Sequence, residues 1–153
     1  MKILGCSGSK MGIYNPTSIQ LNDRIIIDAG NIMSLGEEAK KIDFIFLTHS
    51  HLDHICDIPF LIDNFFSLRK TPIFVFGLEE TLMDLKKNIF NNQIWPDFNQ
   101  IDLLNNQFKA IMFMEIDDDE DKVIDNIKIR AIKSNHTVPT IGYIINEETY
   151  FSG

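Results

Sequence analysis

The chain has little cysteine: only Cys6 and Cys56 in 153 residues. They lie far apart and follow no disulfide framework, so reduced thiols are expected. No apolar run is long enough to span a bilayer. The apolar stretch in the opening "MKILGCSGSK" is too short for a secretory signal, and a cytoplasmic protein is expected. Cations are also scarce, 14 Lys and Arg against 22 Asp and Glu, giving a net charge of −8. Phosphate neutralisation dominates nucleic-acid affinity, and without a basic face a nucleic-acid partner is disfavoured. Two further absences matter. "GCSGSKMG" lacks the Gly-Lys-Ser/Thr ending of a phosphate loop. The acidic run 115-EIDDDEDK-122 lacks the Gly and Glu spacing of a calcium loop and reads as a solvated connection.

What remains is an ordinary globular composition, 44% hydrophobic and 24% charged, without repeats or a linker. One domain over 1–153 is expected. "KILGC" reads as a strand entering a Gly/Ser turn, and "TSIQL" and 24-RIIIDAG-30 as strands joined at Asn22-Asp23. "SLGEEAKK" reads as a brief helix with Ser34 as its N-cap. Then come a buried strand over 43–49, a helical pattern over 55–69 that tolerates Pro59 near its start, and a strand "TPIFVFG". An amphipathic helix is expected over 79–90, acids first and lysines last. The rest reads as strands over 108–116, 127–134, 141–146 and 149–153. This mixture predicts an α/β sandwich.

Histidine is the informative residue. The chain has four, and three fall in 47-LTHSHLDHICD-57. In an extended strand His49 and His51 point to one side, where two imidazoles can chelate one ion. As the chain turns into a helix, Asp53 and His54 swing toward a second position. Carboxylate beside imidazole suits Zn, Fe or Mn rather than Ca or Mg. A set of satisfied surface histidines with a capping Asp would not need this density. His136, in 134-SNHTVPT-140, is the one histidine left to complete the first set. Cys56 could ligate a soft metal, but at a helix start it reads as a core thiol. Phe90, Trp95 and Phe98 could line a pocket where a purine stacks, with core packing the plainer reading.

"THSHLDH" preceded by "RIIIDAG" resembles the metallo-β-lactamase superfamily. Together with "FNNQIWPDF", "NHTVPTIGY" and "FSG", it is most similar to the class II cyclic-nucleotide phosphodiesterases. The resemblance implies an αββα sandwich and two divalent ions, zinc first, with Fe or Mn as alternatives. It assigns His49, His51 and His136 to one ion and Asp53 and His54 to the other, with Asp28 orienting the loop from behind. Oxygen-reducing di-iron relatives carry Glu where this chain has His51, which favours hydrolysis. The implied reaction is hydrolysis of a small phosphodiester, a 3′,5′-cyclic nucleotide of the cyclic AMP type, by a metal-activated hydroxide, with Asp53 also placed to accept the nucleophile's proton. RNA 3′-end processing is the alternative within the superfamily. Where the family has a small residue, this chain has Asp57. The family's bridging Asp follows "FSG" and its last His comes later still. The chain is therefore expected to carry the first part of a two-half fold with the C-terminal part missing. An inactive fragment with a partial metal site, or association with a second copy or a missing half, are the corresponding alternatives.

Overall fold

The computed structural model describes residues 1–104 and 107–153. The β-branched and aromatic runs that suit a pleated, buried surface build two packed sheets. The elements in chain order are β1 (Lys2–Gly5), β2 (Ser18–Gln20), β3 (Ile25–Ile27), a 3₁₀ segment Ile32–Lys41, β4 (Phe44–Phe46), α1 (Leu52–Ile55) and α2 (Ile58–Phe65). They continue with β5 (Ile73–Gly77), α3 (Glu79–Asn88), β6 (Ile111–Glu115), β7 (Asp121–Ile124), β8 (Ile127–Ser134), β9 (Thr140–Ile145) and β10 (Thr149–Phe151).

The first sheet runs β1-β2-β3-β4-β5-β6. Its first three strands are antiparallel, and β3 through β6 are parallel. The second sheet, β10-β9-β8-β7, is antiparallel throughout. Alternate residues of β3 and β4 face opposite layers. Ile26 and Ile45 join Ile58, Leu61, Leu82 and Leu85 beneath the helices. Ile25, Ile27 and Phe46 meet Ile129, Ala131 and Tyr143 between the sheets. The result is the α/β sandwich read from the sequence, helices on one sheet and that sheet on another. It presents three of the four expected layers: among the described residues, no helix packs on the outer face of β7–β10.

Three local expectations are corrected. Ser34 is not an N-cap. The segment starts three residues earlier, after Asn31, and is a 3₁₀ helix broken at Gly36, whose φ of 57° and ψ of −131° no helix accommodates. Ser34 Oγ instead donates to the Asn31 carbonyl at 2.8 Å. The helical pattern over 55–69 divides into α1, α2 with Pro59 in its first turn, and a 3₁₀ turn Phe66–Leu68. The acidic run is only partly a connection: β7 begins inside it at Asp121, which pairs with Arg130 through two hydrogen bonds of 2.6 and 2.9 Å. The Asn22-Asp23 turn is as expected, closed by Asn22 Oδ1 accepting from the backbone N–H groups of Arg24 and Ile25.

Candidate metal centre

The histidines gather where parallel strands end, the usual place for a site in a sheet of this kind. β4 stops at Phe46, so His49 and His51 lie in the loop beyond it and not in the strand. They converge because backbone bonds fix that loop on both sides. Asp28 N–H donates to Phe46 O at 2.9 Å, and Ile141 N–H from the second sheet donates to Thr48 O at 3.0 Å. The buried Tyr143 hydroxyl donates to Leu47 O at 2.7 Å. His51 then leads into α1, which carries Asp53 and His54. The register of the two sheets thus sets the loop's position, and the longer reach from β8 brings in His136.

His49 Nε2 and His51 Nδ1 are 3.1 Å apart, and His136 Nε2 is 3.4 Å from His51 Nδ1. All three ligand atoms lie within 4.8 Å of one another. A tetrahedral ion with Zn–N bonds of about 2.0–2.1 Å separates its ligands by about 3.3–3.4 Å, close to the two spacings made by His51. Alongside, His54 Nε2 faces Asp53 Oδ2 at 3.4 Å, the same edge length. The His49 and His54 rings are 4.1 Å apart, centre to centre. The five residues singled out in the sequence are therefore together, as a three-nitrogen group beside the Asp53–His54 pair.

Buried hydrogen bonds fix which nitrogens face inward. Asp28 is fully buried, and its carboxylate accepts from Thr48 N–H at 2.9 Å and Thr48 Oγ1 at 2.9 Å. His54 Nδ1 lies 2.7 Å from Asp28 Oδ2. A carboxylate only accepts, so that nitrogen carries the proton and Nε2 keeps its lone pair for the site. The Thr48 hydroxyl proton is committed to Asp28, so Oγ1 accepts from His49 Nδ1, 3.0 Å away. His49 Nε2 is freed in the same way. Burial pushes the Asp28 pKa up against the opposing hydrogen bonds and charge of His54. Burial alone would lower His54, but the Asp28 hydrogen bond and charge outweigh it and raise its pKa. Burial, together with the neighbouring imidazoles, lowers His49 to about 4. It is neutral, and able to bind metal, at physiological pH.

Other sequence candidates fall outside the centre. Cys56 Sγ donates to Gly30 O at 3.4 Å, and burial raises its pKa. Asp57, the departure from the family pattern, is buried, and its Oδ2 accepts from Met33 N–H at 2.9 Å at the start of the 3₁₀ segment. Phe90 and Phe98 belong to the core under the helices, while Trp95 packs at its margin. Sequence reasoning missed Thr48, Tyr143 and Ser50, whose Oγ donates to Asp84 Oδ2 at 2.6 Å. A hydroxyl residue directly before each of His49 and His51 was the available signal. The end of β10 also reaches the centre. A Cβ on Gly153, whose φ is +87°, would stand 2.8 Å from Thr48 Cβ.

Comparison with known proteins bears on the fold and the family. The metallo-β-lactamase fold protein YhfI from Bacillus subtilis superposes with a TM-score of 0.67 over 97% of this chain and 59% of that one, at 18% identity. The fold is that of the metallo-β-lactamase superfamily. Residues 18–145 match the family model of cAMP phosphodiesterases class-II, and the chain belongs to that family. It is 30% identical over 111 residues to the nuclear ribonuclease Z of Triticum aestivum, covering 71% of this chain and 57% of that protein. It is 39% identical over 56 residues to the 3′,5′-cyclic-nucleotide phosphodiesterase 1 of Saccharomyces cerevisiae, 34% of this chain and 14% of that protein. The chain spans about half the length of the ribonuclease Z proteins it matches, 57% and 49% in two cases.

Proposed function

We propose that the protein hydrolyses a phosphodiester, a 3′,5′-cyclic nucleotide of the cyclic AMP type, at a centre holding two divalent ions, zinc foremost. The observation that carries this reading is the convergence of His49, His51 and His136 on one point within 4.8 Å. In this reading these three hold one ion, and Asp53 and His54 hold part of the shell of the second. Residues 1–153 form one domain that supplies this share of the centre. Ions bound there would provide Lewis acidity for the attack of water on phosphorus.

The chain's own residues do the rest. Asp28 holds the His54 ring through Nδ1, and through Thr48 it holds the His49 ring, so neither needs to reorganise as charge develops. Asp53 turns Oδ2 toward His54 and leaves its second oxygen to accept a proton from the nucleophile. The family match supports phosphodiester chemistry, and the likeness to the yeast phosphodiesterase supports the cyclic nucleotide. The reading is tested by hydrolysis of 3′,5′-cyclic AMP before and after chelation, and by His51→Ala. Activity that ends on chelation, returns with zinc and is absent from the variant is expected; full activity in His51→Ala refutes the assignment.

The likeness to wheat ribonuclease Z favours a second reading, RNA 3′-end processing. The net charge of −8 opposes it, because polyanion affinity comes largely from Lys and Arg. A tRNA precursor cleaved faster than the cyclic nucleotide would reverse this order.

A further inference from the structure

The loop that carries His49 and His51 has few backbone ties at its middle. Among the described residues, the N–H and carbonyl groups of His49 and Ser50 make no backbone hydrogen bond. The ties from the two sheets end at Thr48, and they resume only at the His51 carbonyl, which accepts from His54 N–H at 2.9 Å. The rings differ as well. Thr48 orients His49 and Asp28 orients His54. Among the described residues, the His51 ring has at hydrogen-bond distance only two other candidate ligands, His49 and His136. The place of His51 is therefore set through its backbone.

One bond reaches that backbone from outside the loop. Ser50 Oγ donates to Asp84 Oδ2 on α3 at 2.6 Å, across 34 residues of chain. This is the usual length for a hydroxyl bonded to a carboxylate, a stronger pairing than one between neutral groups. Asp84 Oδ1 accepts from Asn88 Nδ2, one turn further along α3, at 3.5 Å. The same helix faces the other ligand-bearing loop. Leu78 and Glu80 at its start line a cleft of about 540 Å³ together with Asn135, His136 and Thr137. One loop is thus bonded to α3 and the other stands across a cleft from it.

We propose that Asp84 is a positioning residue of the metal centre: through Ser50 it fixes the backbone of His51, and with it the spacing of His51 from His49 and His136. The proposal rests on the reading of these three histidines as ligands of one ion. Without the bond, residues 49 and 50 gain conformations that metal binding must then remove. That ordering lowers affinity although no ligand is lost. The bond acts on the ligand set as a whole, since His51 Nδ1 is the atom that stands 3.1 Å from His49 Nε2 and 3.4 Å from His136 Nε2.

The test is zinc affinity per folded molecule, read by competition with a chromogenic chelator, with the urea midpoint of metal-free protein measured in parallel. Ser50→Ala and Asp84→Ala each weaken zinc by about three- to tenfold, the range of one hydrogen bond. The double variant weakens it no further than either single variant, because both remove the same bond. Asp84→Asn keeps an acceptor oxygen, and its affinity lies between those of Asp84→Ala and the native chain. A purely structural contact would move the urea midpoint and leave the affinity of folded molecules alone. Unchanged zinc affinity in both alanine variants, or losses that multiply in the double variant, overturns the proposal. A native chain that binds no zinc tightly overturns the metal reading and the clamp with it; tight native binding with unaltered variants overturns the clamp alone.

Discussion

His54 Nδ1 and Asp28 Oδ2 are 2.7 Å apart in the buried floor of the centre, and that bond decides which nitrogen His54 can offer. Asp28 reaches this position with φ at +56°, a conformation that Asn and Asp tolerate better than other side chains. Asp28→Asn keeps the backbone and removes the charge. We expect metal affinity, measured by competition with a chromogenic chelator, to fall about 10- to 100-fold with the fold retained. Unchanged affinity would remove Asp28 from the account.

Gly30 couples the fold to the same loop. A Cβ there would stand 2.0 Å from the Asp53 carbonyl oxygen and 2.6 Å from Pro16 Cβ. Backbone must move, so Gly30→Ala should destabilise by about 1–3 kcal/mol or more in urea, and what metal binding survives should be weakened. A neutral Gly30→Ala would mean that the approach is looser than described.

Arg69 provides a control at the other end of the sheet. Its side chain is 2% exposed and paired with Asp43, and its remaining donors reach the carbonyls of Thr71 and Lys40. Burial lowers its pKa against the opposing charge of Asp43. Arg69→Met leaves Asp43 its bonds from Arg24 and Thr71 but strips the carbonyls of Thr71 and Lys40 of their donor, a loss of about 1–3 kcal/mol. Metal affinity per folded molecule should be unchanged.

The acid limb of stability carries the signature of His49. Its pKa is 6.5 when unperturbed and about 4 in the fold. As pH falls below 6.5 the unfolded chain takes up this proton first. The stability due to neutral His49 is therefore fully present above 6.5 and is lost as pH drops toward 4. In metal-free protein, His49→Gln should flatten the fall of the urea midpoint across that window. Equal slopes would show that His49 is not held neutral by burial.

Much of this was legible in the sequence, for identifiable reasons. The runs over Ile25–Ile27, Phe44–Phe46 and Ile73–Gly77 are buried and rich in β-branched or aromatic residues, and such segments admit few alternatives. The convergence of the candidate ligands was legible because such a density of histidine has no packing explanation. β7 was not, because Asp121 and Lys122 look like part of a solvated run until the ladder partner Arg130 is known. Thr48 was missed for a similar reason: its three-way contact with Asp28, His49 and His54 depends on strand ends brought together by parallel pairing. The role of Asp57 was not legible either, because its partner, the Met33 N–H at the start of the 3₁₀ segment, is 24 residues away in the chain.

The central claim is that His49, His51 and His136 together hold an ion. The direct measurement is calorimetric titration of zinc into the chelator-stripped chain, alongside His51→Ala and His136→Ala. The account predicts at least one tightly bound ion per chain, with that tight class absent from both variants while their folds persist. Tight binding of equal stoichiometry and affinity in either variant would contradict it.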